Sequence, residues 1–207
     1  MQRSLLRTLF NECLRARYQT TETDTDWSAE MQRSELHIRF APSQGTRDWL
    51  HNLTFHAAPY REMSPPWQCH SGFLTCWKSV IPHLSPFILH PNVRRVVIIG
   101  YSHGAALALL CHEYVWFHRP DLRQNLLGVG FGCPRVLYGC VPPAIAPRWE
   151  RFFVVRNLDD IVTHLPPRVL GYCHVGNLIE IGEEGRYSAV DAHRPESYRR
   201  ELSQFQN

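Results

Sequence analysis

The tightest constraint in this chain is one uninterrupted passage: Val96-Val97-Ile98-Ile99, then Gly100-Tyr101-Ser102-His103-Gly104, then Ala105-Ala106-Leu107-Ala108-Leu109-Leu110. A β-branched run without alternation is the signature of a strand covered on both faces, as in a parallel sheet. The alanine- and leucine-rich stretch that follows is strongly helical. Five residues separate the two, so the chain must turn sharply from strand into helix with a serine at the apex. Bulky side chains two positions either side of that serine would collide across the turn, and both positions are glycine. A G-x-S-x-G pattern alone is a modest signal; in this setting it predicts a nucleophile elbow with Ser102 as nucleophile. His103 is expected to open the helix and point away from Ser102, where a helix N-terminus disfavours imidazolium. Its useful group is then its backbone N–H, one donor of an oxyanion hole.

The rest of the chain supplies the layers such an elbow needs. Residues 1–18 read as an amphipathic helix, with Leu5, Leu6, Leu9, Phe10 and Cys13 on one side and most of the arginines elsewhere. Gln19 to Asp26 reads as a polar connection and Leu36 to Phe40 as a strand. Ser43 to Leu53 reads as a loop running into a short helix, and Ala58 to Trp67 as a proline-containing loop. Gly72 to Leu84 has a helical pattern, stopped around Pro82 and Pro86. Leu126 to Phe131, Phe152 to Val155 and Val175 to Ile181 read as further strands. Pro195 to Phe205 reads as a closing helix with Tyr198, Leu202 and Phe205 on one side. Strand–helix alternation of this kind predicts an α/β fold, a mainly parallel sheet flanked by helices, in one domain spanning 1–207.

Bulk properties remove several function classes. At 207 residues, 44% hydrophobic and 20% charged, the chain can bury an ordinary globular core. A net charge of +3 with no Lys/Arg cluster gives no footprint for nucleic acid. No stretch approaches a transmembrane span. Arg7 interrupts the apolar run at the amino terminus and no small-residue cleavage site follows, so that segment does not read as a secretion signal. The seven cysteines are scattered without a C-x-x-C pair or zinc-type spacing. They read as reduced, mostly buried thiols, and the expected location is cytoplasmic.

Four motifs in order then show a resemblance. Gly100-Tyr101-Ser102-His103-Gly104-Ala105-Ala106-Leu107 is similar to the Gly-His-Ser-Leu-Gly-Gly-Ala-Leu elbow of the class 3 (fungal-type) lipases, a family of α/β-hydrolases. His70-Ser71-Gly72-Phe73 matches its His-x-Gly-Phe, and Phe131-Gly132-Cys133-Pro134-Arg135-Val136 its Phe-Gly-Ser-Pro-Arg-Val. Val154-Val155-Arg156-Asn157-Leu158-Asp159-Asp160-Ile161-Val162-Thr163-His164-Leu165-Pro166-Pro167 looks like its Asp-x-Val-Pro-x-Leu-Pro-Pro. The similarity runs from about Leu36 to the end of the chain.

That resemblance implies a Ser–Asp–His triad in chain order. Asp160 takes the family aspartate's place, with Asp159 as near competitor; His193, ahead of the last helix, takes the place of the base, over His164 and His174. The second oxyanion donor falls at Ser43, where Phe40-Ala41-Pro42-Ser43 stands for the family's Phe-Arg-Gly-Thr/Ser, with Pro42 replacing a glycine. Residues 44–53 match the lid helix. Trp49 and Tyr101 are assigned to the substrate and lid side, Trp49 as an apolar cover over the acyl site. The implied activity is hydrolysis of carboxylic esters, triacylglycerol or shorter-chain, through an acyl-enzyme. No metal or organic cofactor is expected. The expected partners are a small-molecule or lipid ester and a transient lipid surface. The alternatives are a phospholipase A1 or thioesterase on the same scaffold, or an inactive hydrolase fold used for binding.

Overall fold

The computed structural model describes residues 1–42, 55–139 and 141–204. The chain begins with helix α1 (Arg3–Arg15), then β1 (Gln19–Thr20), β2 (Asp26–Gln32) and β3 (Glu35–Phe40). β4 (Ala57–Tyr60), β5 (Trp67–His70), helix α2 (Ser71–Ile88), β6 (Arg95–Tyr101) and helix α3 (His103–His118) follow. The remainder is β7 (Leu126–Phe131), β8 (Leu137–Tyr138), β9 (Phe152–Asn157), β10 (Tyr172–Cys173), β11 (Asn177–Ile181) and helix α4 (Pro195–Gln204), linked by short 3₁₀ turns.

Among the described residues the main sheet has seven strands in the order β1-β2-β3-β6-β7-β9-β11. Strands β3, β6, β7, β9 and β11 pair in parallel, and only the β1–β2–β3 edge is antiparallel. The burial of β6 shows why its sequence lacks alternation. Val96 and Ile98 join one apolar cluster, with α2 and α3; Val97, Ile99 and Tyr101 join a second, with α1 and α4. Both faces are covered, so both must be apolar. Helix α3 is buried nearly all round, from Gly104 to Val115, and so carries no polar stripe over that length.

Three sequence expectations change in the folded chain. Helix α2 does not stop at its prolines but runs through Pro82 and Pro86 to Ile88. Each proline costs a helix interior about 3 kcal/mol. Burying Phe73, Leu74, Trp77, Val80, Leu84 and Ile88 returns about 1.5–3 kcal/mol apiece, and packing wins. The stretch read as a polar connection holds β1, and the one read as a proline-containing loop holds most of β4; β2 and β5 start at the last residues of those two stretches, Asp26 and Trp67. β2 pairs with β3 through a tight turn in which Arg33 adopts φ +58°. β4 and β5 belong to a four-stranded antiparallel sheet, β10-β8-β5-β4, which brings together segments far apart in the chain. On α1, Leu6, Leu9, Phe10 and Cys13 are buried as expected, whereas Leu5 is exposed. Phe205 and the expected helix at 44–53 lie outside the described residues.

Two polar features sit inside this apolar frame. Glu113 of α3 accepts from Trp67 Nε1 at 2.6 Å and pairs with Arg148, whose Nη2 donates to the Ser64 carbonyl at 2.7 Å. This buried group ties the small sheet to α3. His112, one residue earlier, is completely buried with its ring edge-on to Phe152, and burial pushes its pKa down to about 3. An unfolded histidine titrates near ~6.5, so between those values the unfolded chain binds a proton that the folded chain refuses. Stability therefore drops as pH falls from ~6.5 toward 3. A His112→Leu variant should lose this component: in urea titrations its midpoint should gain on wild type as pH falls through that window, and a constant difference would contradict the assignment.

Candidate active site

The elbow is where β6 meets α3. Ser102 stands at φ +58°, ψ −125°, a conformation that L-residues rarely adopt. It is held from both sides: its N–H donates to the Phe131 carbonyl of β7 at 2.9 Å, and its own carbonyl accepts from Ala105 N at 2.9 Å. The glycines are required by contact. A Cβ at Gly100 would lie 2.1 Å from the Gly104 carbonyl oxygen, and one at Gly104 would lie 2.4 Å from the carbonyl oxygens of Phe40 and Ala41. Any side chain at either position would push the helix off the sheet.

Ser102, His193 and Asp160 form one hydrogen-bonded chain. His193 Nε2 lies 2.8 Å from Ser102 Oγ, and His193 Nδ1 lies 2.8 Å from Asp160 Oδ2. All three side chains are buried. Asp160 follows β9 through a turn in which its N–H donates to the Asn157 carbonyl at 2.9 Å. Its Oδ1 accepts from Val162 N at 2.9 Å, and its Oδ2 also accepts from the Tyr198 hydroxyl at 2.6 Å. Donors thus occupy both oxygens, which orients the carboxylate toward the imidazole. Gly132 makes room: at φ +56°, a Cβ there would stand 2.9 Å from His193 Cε1 and 3.1 Å from Asp160 Oδ2.

The competing residues are separated by these contacts. Asp159 turns the other way, accepting from Gly185 N at 2.9 Å and Tyr187 N at 3.0 Å; those N–H groups hold its carboxyl below the usual range. It organises a loop. His174 sits with Nε2 2.8 Å from the Thr163 carbonyl, and burial lowers its pKa to about 4, so it serves as a neutral donor bracing the segment after Asp160. His164 is exposed. His103 opens α3 with its ring against Phe73, 5.6 Å between centroids, and burial lowers its pKa to about 4.

Tyr101 departs from its expected place at the substrate side. It is 2% exposed and packs on the opposite face of the sheet, in the cluster with α1 and α4. Its ring stacks on the His193 imidazole, 5.3 Å between centroids at 23°, and its hydroxyl donates to the His193 carbonyl. The physical reason is alternation along β6: the residue before the apex points away from the face the serine serves. Ser43 and Trp49 lie outside the described residues.

In the sequence Tyr198 reads only as part of a helix face and Gly132 only as part of a motif, and nothing marks Asn157 within the motif that spans it. Asn157 Nδ2 donates to the Ala192 carbonyl at 3.0 Å, and its N–H donates to the Tyr198 hydroxyl at 3.2 Å. The available signal was a hydroxyl on the otherwise apolar face of the closing helix: a buried tyrosine needs a polar partner.

A parallel sheet with helices on both faces, an elbow serine and an Asp–His relay at the carboxyl ends of the strands define an α/β-hydrolase. The Lipase (class 3) family matches residues 37–170, and the chain belongs to that family. It is 31% identical over 147 residues to a lipase from Rhizomucor miehei, covering 68% of this chain and 40% of that protein. A secreted mono- and diacylglycerol lipase from Malassezia restricta is 34% identical over 119 residues, covering 54% of this chain and 37% of that protein. The chain therefore spans about two fifths of the length of these curated relatives. Among solved structures, a triacylglycerol lipase described as having a serine-protease triad for its catalytic centre superposes with a TM-score of 0.68 at 29% identity. That match covers 81% of this chain and 66% of the other. The Rhizomucor miehei triacylglyceride lipase gives a TM-score of 0.66 at 26% identity, covering 88% and 75%.

Removing the Tyr198 hydroxyl isolates one part of this network. Tyr198→Phe should cost about 1–3 kcal/mol, because the buried Asn157 N–H loses its acceptor and Asp160 loses a donor. Chemical denaturation measures this, and a change within error of zero would show that the hydroxyl contributes nothing to the fold.

Proposed function

We propose that this protein is a serine ester hydrolase acting on acylglycerol-type lipid esters, with Ser102 as nucleophile, His193 as general base and Asp160 as the residue that orients it. The observation carrying the proposal is the unbroken hydrogen-bonded chain Asp160–His193–Ser102, 2.8 Å at each link, ending on a serine at a strained elbow. His193 Nε2 takes the Ser102 proton as Oγ attacks the ester carbonyl carbon, giving a tetrahedral intermediate. The His103 N–H at the start of α3 is assigned as one donor to the developing oxyanion, and the family resemblance assigns the second to Ser43. His193 then protonates the departing alcohol. Water, activated by the same imidazole, attacks the acyl-enzyme, releases the acid and restores Ser102. This sequence requires no metal or organic cofactor.

The acylglycerol class follows from the names of the relatives, triacylglycerol lipases and mono- and diacylglycerol lipases. The same relatives weigh against the cytoplasmic location expected from the cysteines, since several are named as secreted. No described helix is long and apolar enough to cross a membrane. We read residues 1–207 as one domain, because both apolar clusters share the same sheet.

Ser102→Ala should abolish hydrolysis of p-nitrophenyl and glyceryl esters and end covalent labelling by a fluorophosphonate, with the melting temperature kept or raised. Asp160→Asn should slow both turnover and fluorophosphonate labelling by about 10⁴, as expected when the base is left in the wrong tautomer and no longer takes the Ser102 proton. Wild-type turnover in Ser102→Ala would refute the proposal. Comparison of glyceryl, phospholipid and thioester substrates separates a lipase from a phospholipase A1 or thioesterase on this scaffold.

A further inference from the structure

The elbow itself places no demand on the side chain at position 101. The glycines and the serine satisfy the turn, and the family elbow resembled by this chain has histidine there. Here the residue is tyrosine, buried beneath the base rather than beside the substrate. Two of its contacts bear on His193. The ring stacks on the imidazole at 5.3 Å, and the hydroxyl donates to the His193 backbone carbonyl. Burial pushes the Tyr101 phenol up, away from ionisation, so the hydroxyl stays a donor.

His193 needs such support because of where it sits. It closes a three-residue 3₁₀ turn, Asp191–His193, a geometry with weaker internal hydrogen bonds than an α-helix. Yet its two ring nitrogens must reach Ser102 and Asp160 at once. The carbonyls of Ala192 and His193 are each taken by a side-chain donor from the sheet, Asn157 Nδ2 and the Tyr101 hydroxyl respectively. One fixes the approach of the turn and the other fixes the residue itself.

Behind Tyr101 stands helix α1. Phe10 is completely buried and meets the Tyr101 ring edge-on, 5.4 Å between centroids, and the Tyr198 ring at 5.7 Å. Helix α1 is tied to the sheet by Glu12, which accepts from Arg39 Nε at 2.7 Å and lies 2.6 Å from His37 Nδ1. Packed contacts therefore run without a break from the amino-terminal helix to the imidazole.

We propose that Tyr101 is a positioning residue for His193, fixing both its backbone and its ring plane, and that Phe10 of helix α1 braces Tyr101 in that role. The proposal rests on reading Ser102, His193 and Asp160 as the catalytic triad. It makes the amino-terminal helix, remote from any substrate, a determinant of turnover.

The test compares Tyr101→Phe, which keeps the ring and removes the hydroxyl, with Phe10→Leu, which keeps an apolar but smaller side chain and removes the aromatic brace. On a soluble p-nitrophenyl ester, Tyr101→Phe should lower kcat by about tenfold, below the ~100-fold that a 1 Å misplacement can cost. KM should stay within about twofold, because the substrate does not touch position 101. Phe10→Leu should lower kcat by about threefold, and the double variant should lose less than the product of the two, since both act through one contact chain. The second readout needs no substrate: the His193 Nδ1–H proton held against Asp160, followed by proton NMR, should broaden in both variants through faster exchange with water. If wild type hydrolyses no ester but this signal still responds, the enzymatic reading fails and the positioning role stands. If wild type is active and Tyr101→Phe changes only the melting temperature, with kcat and the proton signal unchanged, Tyr101 is merely structural and the proposal is overturned.

Discussion

The close approach between β3, β6 and the first turn of α3 governs the rest of this structure. The Gly104 backbone lies against the carbonyls of Phe40 and Ala41, and Gly100 lies against Gly104, with no room for a single carbon at either contact. That packing forces Ser102 into a left-handed backbone, a conformation that costs on the order of 1–3 kcal/mol and persists only when surrounding structure compels it. The compelling structure is the buried length of α3 on one side and the β7 carbonyl of Phe131 on the other. The parallel register places Tyr101 beside Phe131 and Phe131 beside Val155. The chain therefore leaves β6, β7 and β9 at the same, carboxyl end of the strands, and Ser102, Gly132 and Asp160 arrive there together. Ligand sites of open parallel sheets lie at this end for the same reason.

The polar contacts at that end of the strands divide the work. Asp160 receives three donors, from Val162, Tyr198 and His193, and so has one orientation. His193 is held through its backbone and its ring rather than by the rigidity of its own short turn. The nearby imidazoles of His103 and His174 are kept neutral by burial, so neither competes as a cation beside the relay. Aromatic rings supply most of the mechanical support: Phe10, Tyr101 and Tyr198 pack against one another beneath His193. Each tyrosine hydroxyl in that group finds a buried acceptor in the active-site scaffold.

How much of this was legible beforehand varies with the range of the interaction involved. The β6 run, the elbow and α3 were readable because their signals lie within about fifteen consecutive residues and need no partner. Helix α2 was misread at its end because the two prolines are a local signal, whereas the burial that overrides them comes from the sheet and α3. Strand β2, Asp-Trp-Ser-Ala-Glu-Met-Gln, was invisible because one face at an antiparallel edge can stay polar, leaving little apolar pattern. β4 and β5 carry short, proline-containing or mixed sequences, and only pairing within the small sheet makes them strands. Tyr101 lies on the face opposite the one expected because alternation along β6 turns the residue before Ser102 away from the substrate side.

By itself the sequence determined that a serine would stand at a strand–helix apex, that the sheet would be mainly parallel, and that family motifs would follow in a set order. These are properties of neighbouring residues, dictated by backbone sterics and by which side chains can be buried on one face or two. The motif resemblance named Asp160 and His193, but only the tertiary structure brings that carboxylate to the imidazole and the imidazole to that serine. Asp159 and Asp160 are adjacent, yet one binds a loop and the other the imidazole; His193 reaches Asp160 across 33 residues and Ser102 across 91. Contacts at such separations exist only once the sheet has set its register, because nothing local favours one carboxylate over its neighbour.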